Sequence, residues 1–74
     1  MMSLFDYKSI LYAGGNIVVN CDVFSVVELK DLAFTAKVHG AHLTILKASL
    51  LNVFDCKSIA FSGGAGNVTF DFTK

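Results

Sequence analysis

The same arrangement of residues occurs three times along this chain, and it limits the folds that the chain can adopt. The segment FDYKSI at 5–10 aligns with FDCKSI at 54–59, and VELKDL at 27–32 lies between them. The aligned lysines Lys8, Lys30 and Lys57 are separated by 22 (30 − 8) and 27 (57 − 30) residues. A period of this size is typical of stacked structural units.

Each copy begins with residues that favour the start of a helix. A serine or asparagine is followed three positions later by an acid, as in a capping box, and the acid also lies where the helix dipole favours negative charge. The pairs are Ser3 and Asp6, Ser25 and Glu28, and Asn52 and Asp55. Glycine follows each helical pattern, and a stretch rich in β-branched and aromatic residues comes next, as strands require.

These signals predict a single domain, 1–74, with the element order α-β-α-β-α-β. The helices are predicted at 4–13, 26–39 and 53–62, the strands at 16–21, 42–47 and 67–72, and the units at 3–21, 25–47 and 52–72. Strands connected through helices are expected to be parallel, with right-handed crossovers. One face of the strands is polar, so we expect two layers, with a three-stranded sheet and all helices on one face.

The simplest layout is a short solenoid with the strand order 1-2-3, and an open sheet with one strand inserted between the others is the alternative. The predicted inward residues are Leu4, Tyr7, Ile10 and Leu11 in the first helix; Val26, Leu29, Leu32, Ala33 and Ala36 in the second; Val53, Cys56, Ile59 and Ala60 in the third; and Ile17, Val19, Cys21, Leu43, Ile45, Val68, Phe70 and Phe72 in the strands.

The helix–strand unit resembles the strand–helix repeats of leucine-rich-repeat proteins in outline, over the whole chain. The resemblance implies a stacked α/β architecture. Leucines at fixed spacing closed by an asparagine ladder mark that family and do not occur here, so no functional residue is carried over.

Composition bears on partners and compartment. The chain is 54% hydrophobic, with a mean hydropathy of +0.62, and six basic residues balance six acidic ones. A neutral chain without a basic cluster argues against nucleic acid and anionic membranes as partners. No apolar run approaches the roughly 18 residues of a membrane span, and no signal peptide is expected. Two cysteines are too few for a disulfide framework, so we expect buried free thiols and a cytoplasmic protein.

A second apolar set lies outside the predicted core. Its members are spaced i, i+7 on each helix and would point away from the sheet, flanked by the aligned lysines. They are Phe5 and Tyr12, Val27 and Phe34, and Phe54 and Phe61. Either neighbouring helices cover these side chains in the grooves between them, or the set is a surface for self-association or a protein partner.

The sequence gives little support for a phosphate-binding, metal-binding or catalytic site. The glycines at 63–66 run from helix into strand, the reverse of a phosphate-binding loop, so they indicate a C-cap and turn. His39 and His42 lack the further ligands of a metal site. Parallel sheets bind ligands beyond the carboxyl ends of their strands, where this chain places Asp22, Lys47 and Ser49. We expect no catalytic residue, cofactor or metal.

The sequence therefore predicts a non-catalytic α/β repeat protein that acts as a homo-oligomer, most simply a dimer, and through protein–protein interaction. The alternative is a small enzyme or small-ligand-binding domain that uses the rim of the sheet at Asp22, Lys47 and Ser49. A cap or fragment of a longer repeat array is a third interpretation, since short solenoids usually need terminal caps.

Overall fold

The computed structural model describes residues 2–73 of the chain. The elements are α1 (Leu4–Tyr12), β1 (Ile17–Asn20), α2 (Val26–His39), β2 (Leu43–Leu46), a short 3₁₀ helix (Ala48–Leu50), α3 (Val53–Gly63) and β3 (Val68–Phe70). The predicted alternation of helices and strands is confirmed, and α2 has the predicted bounds. The 3₁₀ helix is an additional turn that the sequence patterns did not predict.

The helix starts follow the predicted capping chemistry. Ser3 and Ser25 form complete capping boxes, in which the serine side chain and the acid three positions later each accept a hydrogen bond from the other residue's backbone. At α3 the Asn52 side chain accepts a bond from the Asp55 N–H at 2.7 Å, without the reciprocal bond. The third box is therefore reduced to a single cap bond.

The three α-helices are shorter than membrane-spanning helices. They contain 9, 14 and 11 residues, respectively. A helix needs about 20 residues to cross a bilayer. Within residues 2–73, no helix is both long enough and apolar enough to make that crossing.

The three strands form one parallel sheet in the order β1-β2-β3. Ile17 lies opposite Leu43, and Leu43 lies opposite Val68. The alternative with an inserted strand is thereby wrong. The strands are shorter than predicted because their end residues leave the regular ladder, as at Lys47, whose φ of +59° turns the chain away from β2. Hydrogen bonding continues past β3, where the Asp71 N–H donates to the Ile45 carbonyl at 2.9 Å.

The core lies on the alternate residues that were predicted to point inward. Ile17, Val19, Leu43 and Ile45 are buried, whereas their neighbours along each strand are more exposed. Every second side chain of a strand shares a face, so the buried residues of β1 and β2 lie on a common face of the sheet. The helices contribute fully buried side chains to the same core, namely Leu11, Leu29, Leu32, Ala33, Ala36 and Ile59.

Four of the predicted inward residues are exposed instead. They are Ile10 on α1, Val53 and Ala60 on α3, and Phe72 just beyond β3. The last three belong to the third helix–strand pair, whose strand is an edge of the sheet. On that side no further strand or helix follows within residues 2–73, so apolar side chains that a neighbour would cover stay in contact with solvent.

The approach of α3 to α2 depends on a glycine at the last position of α3. A methyl group added at Gly63 would overlap the Val68 side chain and would lie 3.3 Å from the Ala33 Cβ of α2. The glycines after α2 and α3 take positive φ angles, +67° at Gly40 and +70° at Gly64, a region that side chains disfavour. The predicted C-cap and turn at 63–66 is confirmed.

Candidate interaction surface

The predicted outer set is exposed on all three helices. We call Phe5, Tyr12, Val27, Phe34, Phe54 and Phe61 the aromatic row. Their exposed fractions range from 53% at Phe34 to 85% at Phe61. Single exposed apolar residues are common on proteins, but a set repeated on consecutive helices makes a larger apolar surface.

Contacts between α1 and α2 cover part of the row. The ring of Tyr12 meets the His39 ring edge-on, with 4.4 Å between their centroids. Lys8 of α1 donates a hydrogen bond to the Asp31 carboxylate of α2 at 3.0 Å. These two contacts hold the helices together beside Phe34, so Tyr12 and Phe34 are the most covered members of the row. The expectation that neighbouring helices cover the row is met in part there, and the other four members are more than 70% exposed.

A second apolar surface lies beside β3, and the sequence patterns did not identify it. We call it the β3-edge groove. It has a volume of about 310 Å³ and is lined by Leu51, Val53, Cys56, Lys57, Ala60, Phe70 and Phe72. Most of these residues were predicted to be buried. The signal that could have revealed the groove is the position of the third helix–strand pair at the end of the sheet, where its outer flank has no neighbouring element within residues 2–73.

The rim of the sheet brings the predicted polar residues together only loosely. Lys47 Nζ lies 3.7 Å from Asp22 Oδ2, and both side chains are about half exposed. Ser49 lies in the 3₁₀ helix and is exposed. Asp71 is a further carboxylate at this end, beside Asn20, Lys47 and Thr73 in a shallow depression of about 230 Å³. Two hydrogen bonds lower the pKa of Asp71: the larger effect comes from the Thr73 hydroxyl, and the smaller from the Thr73 N–H.

The two histidines are engaged with different neighbours. His39 packs against Tyr12, whereas His42 Nε2 lies 2.6 Å from the Thr69 hydroxyl oxygen. Within residues 2–73, no group of three or more histidine, cysteine or acidic side chains is placed to hold a metal ion.

Both cysteines are free thiols. Cys21 is buried, and its thiol donates to the Lys47 carbonyl oxygen at 3.0 Å. Burial raises the pKa of Cys21 above its usual value, and the Asp22 carboxylate adds to that rise. Burial also raises the pKa of Cys56, which is only partly covered and lines the β3-edge groove. The expectation of buried thiols therefore holds for Cys21 and in part for Cys56. A raised pKa makes both thiols weaker nucleophiles at neutral pH.

With the surfaces described, the chain can be compared with known proteins. No family model, curated protein or solved structure matches it.

Proposed function

We propose that this protein is a non-catalytic interaction protein that associates with copies of itself through the aromatic row. In this proposal the chain is a short solenoid of three helix–strand units, similar in outline to leucine-rich-repeat proteins. All three helices lie on one face of the sheet, and their outer sides present the row.

The unit arrangement is supported by equivalent local structure at three places. Ser3, Ser25 and Asn52 cap the three helices with the same hydrogen bond to the backbone N–H three positions later. The strands follow chain order, as stacked units require. Alternate burial along β1 and β2 supports a sheet that is covered by helices on one face only.

The observation that carries the proposal is the exposure of Phe5, Val27, Phe54 and Phe61, each above 70%. Burying one such side chain contributes about 1.5 kcal/mol or more, so the six-residue row represents a gross gain near 9 kcal/mol. Association costs about 4–15 kcal/mol in lost motion and ordering. The two figures are similar, so we expect a dimer formed through the row to be weak and reversible rather than permanent.

Charge favours a second copy as the partner. The formal net charge is +0, with a pI near 6.7, so two copies do not repel each other strongly at neutral pH. A two-fold arrangement would place the same row on both sides of the contact, which is the commonest symmetry of small oligomers.

The test is the molecular mass in solution as a function of protein concentration. We expect the wild-type mass to rise above 8.0 kDa with concentration in sedimentation equilibrium. Phe34→Ser and Phe61→Ser should weaken self-association by about tenfold or more, because each removes about 1.5–3 kcal/mol of apolar burial. Phe61 is 85% exposed, so Phe61→Ser should leave the folded monomer unaltered. Phe34 is 53% exposed and partly covered, so Phe34→Ser should also lower monomer stability slightly, and Phe61→Ser is the cleaner test.

The matched control is Leu50→Ser, which removes a similarly exposed apolar side chain from the 3₁₀ helix instead of the row. It should leave the association constant unchanged. A wild-type protein of 8.0 kDa at all concentrations, with solubility unaffected by the row variants, would remove the proposal.

The small-ligand alternative at the sheet rim stays a prediction from the sequence. Asp22 and Lys47 pair with each other across 3.7 Å, and Asp71 accepts bonds from Thr73. Because these charges are engaged with neighbours at an open surface, we advance no second function for the rim.

A further inference from the structure

The geometry of the β3 edge points to a second protein contact, separate from the aromatic row. We propose that two copies of this chain pair β3 with β3 in antiparallel orientation around a two-fold axis, forming a continuous six-stranded sheet. The β3-edge groove of each copy is covered by the other copy in this pair. The inference goes beyond the proposed function and uses its arrangement of all helices on one sheet face.

The backbone of β3 has an open side with regular hydrogen-bonding groups. On the side facing β2, the Asn67 carbonyl accepts a hydrogen bond from the Leu43 N–H. The Asp71 N–H donates to the Ile45 carbonyl, and the Asp71 carbonyl accepts from the Ala48 N–H. In a parallel ladder alternate residues face the same neighbour, so residues 67, 69 and 71 face β2. The N–H and C=O groups of Val68, Phe70 and Phe72 therefore point to the free edge, where a further strand can bond to them.

The other edge of the sheet, β1, is less suited to pairing. Its carbonyl at Asn20 already accepts a bond from the Val23 N–H at 3.3 Å as the chain turns back. The backbone N–H and C=O groups of Val18, in the middle of β1, point away from β2. The Val18 side chain is exposed on the solvent-facing side of the sheet. A contact between like β3 edges is therefore favoured over head-to-tail stacking of β3 on β1. Taken alone, the like-to-like contact closes as a dimer, whereas head-to-tail contacts continue into filaments.

The groove beside β3 supplies the apolar part of the contact. Val53 is 75% exposed and Phe72 is 56% exposed, and both flank the free edge. A two-fold axis perpendicular to the sheet keeps both sets of helices on the same side, so each α3 would lie antiparallel to its copy. Cys56 lies midway between Val53 and Ala60 along this stripe of α3, close to where the axis would pass.

Charge selects one register of the strand pair. Centring the pair on Asp71 would place two carboxylates opposite each other, which is unfavourable. Centring it on Phe70 places Phe70 opposite itself, Val68 opposite Phe72, and Asp71 opposite the hydroxyl of Thr69. Val68, Phe70 and Phe72, whose backbone groups point to the free edge, would then each exchange two backbone hydrogen bonds with the residue opposite on the other copy.

The size of the edge fits a small dimer. The Cα atoms span 29 × 29 × 19 Å, so an edge of this slab measures 29 × 19 Å, or about 550 Å². This cross-section is below the ~800 Å² per partner of a standard interface, so the edge pair is a small and reversible contact. In the resulting pair the two aromatic rows would lie on the same side and form one continuous surface.

The experiment compares edge, row and control variants by sedimentation equilibrium. Phe72→Lys and Ala60→Glu place charges on exposed positions at the two-fold contact, and each should weaken dimerisation by about tenfold or more. Val18→Lys is the matched control, since it puts the same charge on the exposed face of the β1 edge and should have no effect. Circular dichroism at low concentration should show each variant folded.

Cys56 provides an independent readout in the Cys21→Ala background. A short bis-maleimide should join two chains through Cys56 in the Cys21→Ala protein, and this crosslink should disappear with Phe72→Lys. Phe61→Ser should leave the crosslink in place if the edge alone carries the dimer. Loss of association in the edge variants but not in Val18→Lys, together with the crosslink, supports the inference.

The contrary outcomes separate this inference from the proposed function. Row variants that abolish association while edge variants keep it, with no Cys56 crosslink, overturn the edge pair and support the row. Edge variants that abolish association while row variants keep it support the edge pair and overturn the role of the row in self-association. A wild-type monomer at all concentrations overturns both.

Discussion

Gly63 is the residue at which the packing of α3 is tightest. It ends α3, is buried, and leaves no room for a side chain between Val68 and Ala33. Gly14, Gly40 and Gly66 have open space where a Cβ would be, and glycine suits them because their φ angles are positive. Gly63 therefore differs from them because it is required for close packing instead of for backbone conformation.

We expect Gly63→Ala to lower the free energy of unfolding by about 1–2 kcal/mol. Alanine gains up to about 1 kcal/mol of helix propensity, but overpacking of this kind costs about 1–3 kcal/mol. Chemical denaturation would measure the difference. Val68→Ala removes the methyl groups that the new side chain would meet, so the double variant should be more stable than the sum of the two single changes implies. Strict additivity would contradict the close approach.

At the scale of elements, the three helices begin alike but are not equally capped. In α2 the Glu28 carboxylate accepts the Ser25 N–H at 2.8 Å, and Ser25 Oγ accepts the Glu28 N–H at 3.2 Å. In α3 the Asn52 side chain alone makes the cap bond. The acid of α3 therefore contributes through the helix dipole, without a hydrogen bond to the cap.

This difference predicts unequal effects for two similar substitutions. Glu28→Ala should destabilise the protein by about 1 kcal/mol, since it removes a hydrogen bond and a charge near the helix start. Asp55→Ala should cost about 0.5 kcal/mol or less, because it removes only the charge. Thermal or urea unfolding of the two variants under the same conditions makes the comparison. Equal losses would mean that Asp55 also reaches the Asn52 N–H in solution.

Sequence patterns could predict the elements because their signals are local. The serine–acid pairs start α1 and α2, and the bounds 26–39 of α2 follow from a cap at Ser25 and a glycine at Gly40. The exposure of Val53, Ala60 and Phe72 could not be read from periodicity, since an apolar stripe looks the same whether or not a neighbour covers it. That information lies in the strand order, which places β3 at an edge of the sheet and leaves the outer flank of α3 without a neighbour within residues 2–73.

At the scale of the whole molecule, two apolar surfaces meet along α3. The aromatic row includes Phe54 and Phe61, and the β3-edge groove includes Val53 and Ala60 on the adjacent side of the same helix. Lys57 lies between them on the helix wheel, where its aliphatic stem can lie along either surface while its ammonium group stays in water. A domain of 74 residues buries a small core. Covering either surface would therefore add substantially to its stability.

Among the strands described within residues 2–73, β2 alone has a neighbour on each side. At concentrations where the protein is monomeric, we expect the amides of β2 to exchange with deuterium more slowly than those of β1 or β3, since β2 is released only when both pairings open. Native-state hydrogen exchange followed by NMR would measure this. Slower exchange in β1 than in β2 would contradict it.

The same order also governs when each pairing becomes accessible to a growing chain. Ile17 pairs with Leu43 over 26 positions (43 − 17), and Leu43 pairs with Val68 over 25 (68 − 43). Both closures are short, and neither waits for a distant segment. The pairing of β1 with β2 can therefore form without β3, and the last strand then adds to a template that already exists.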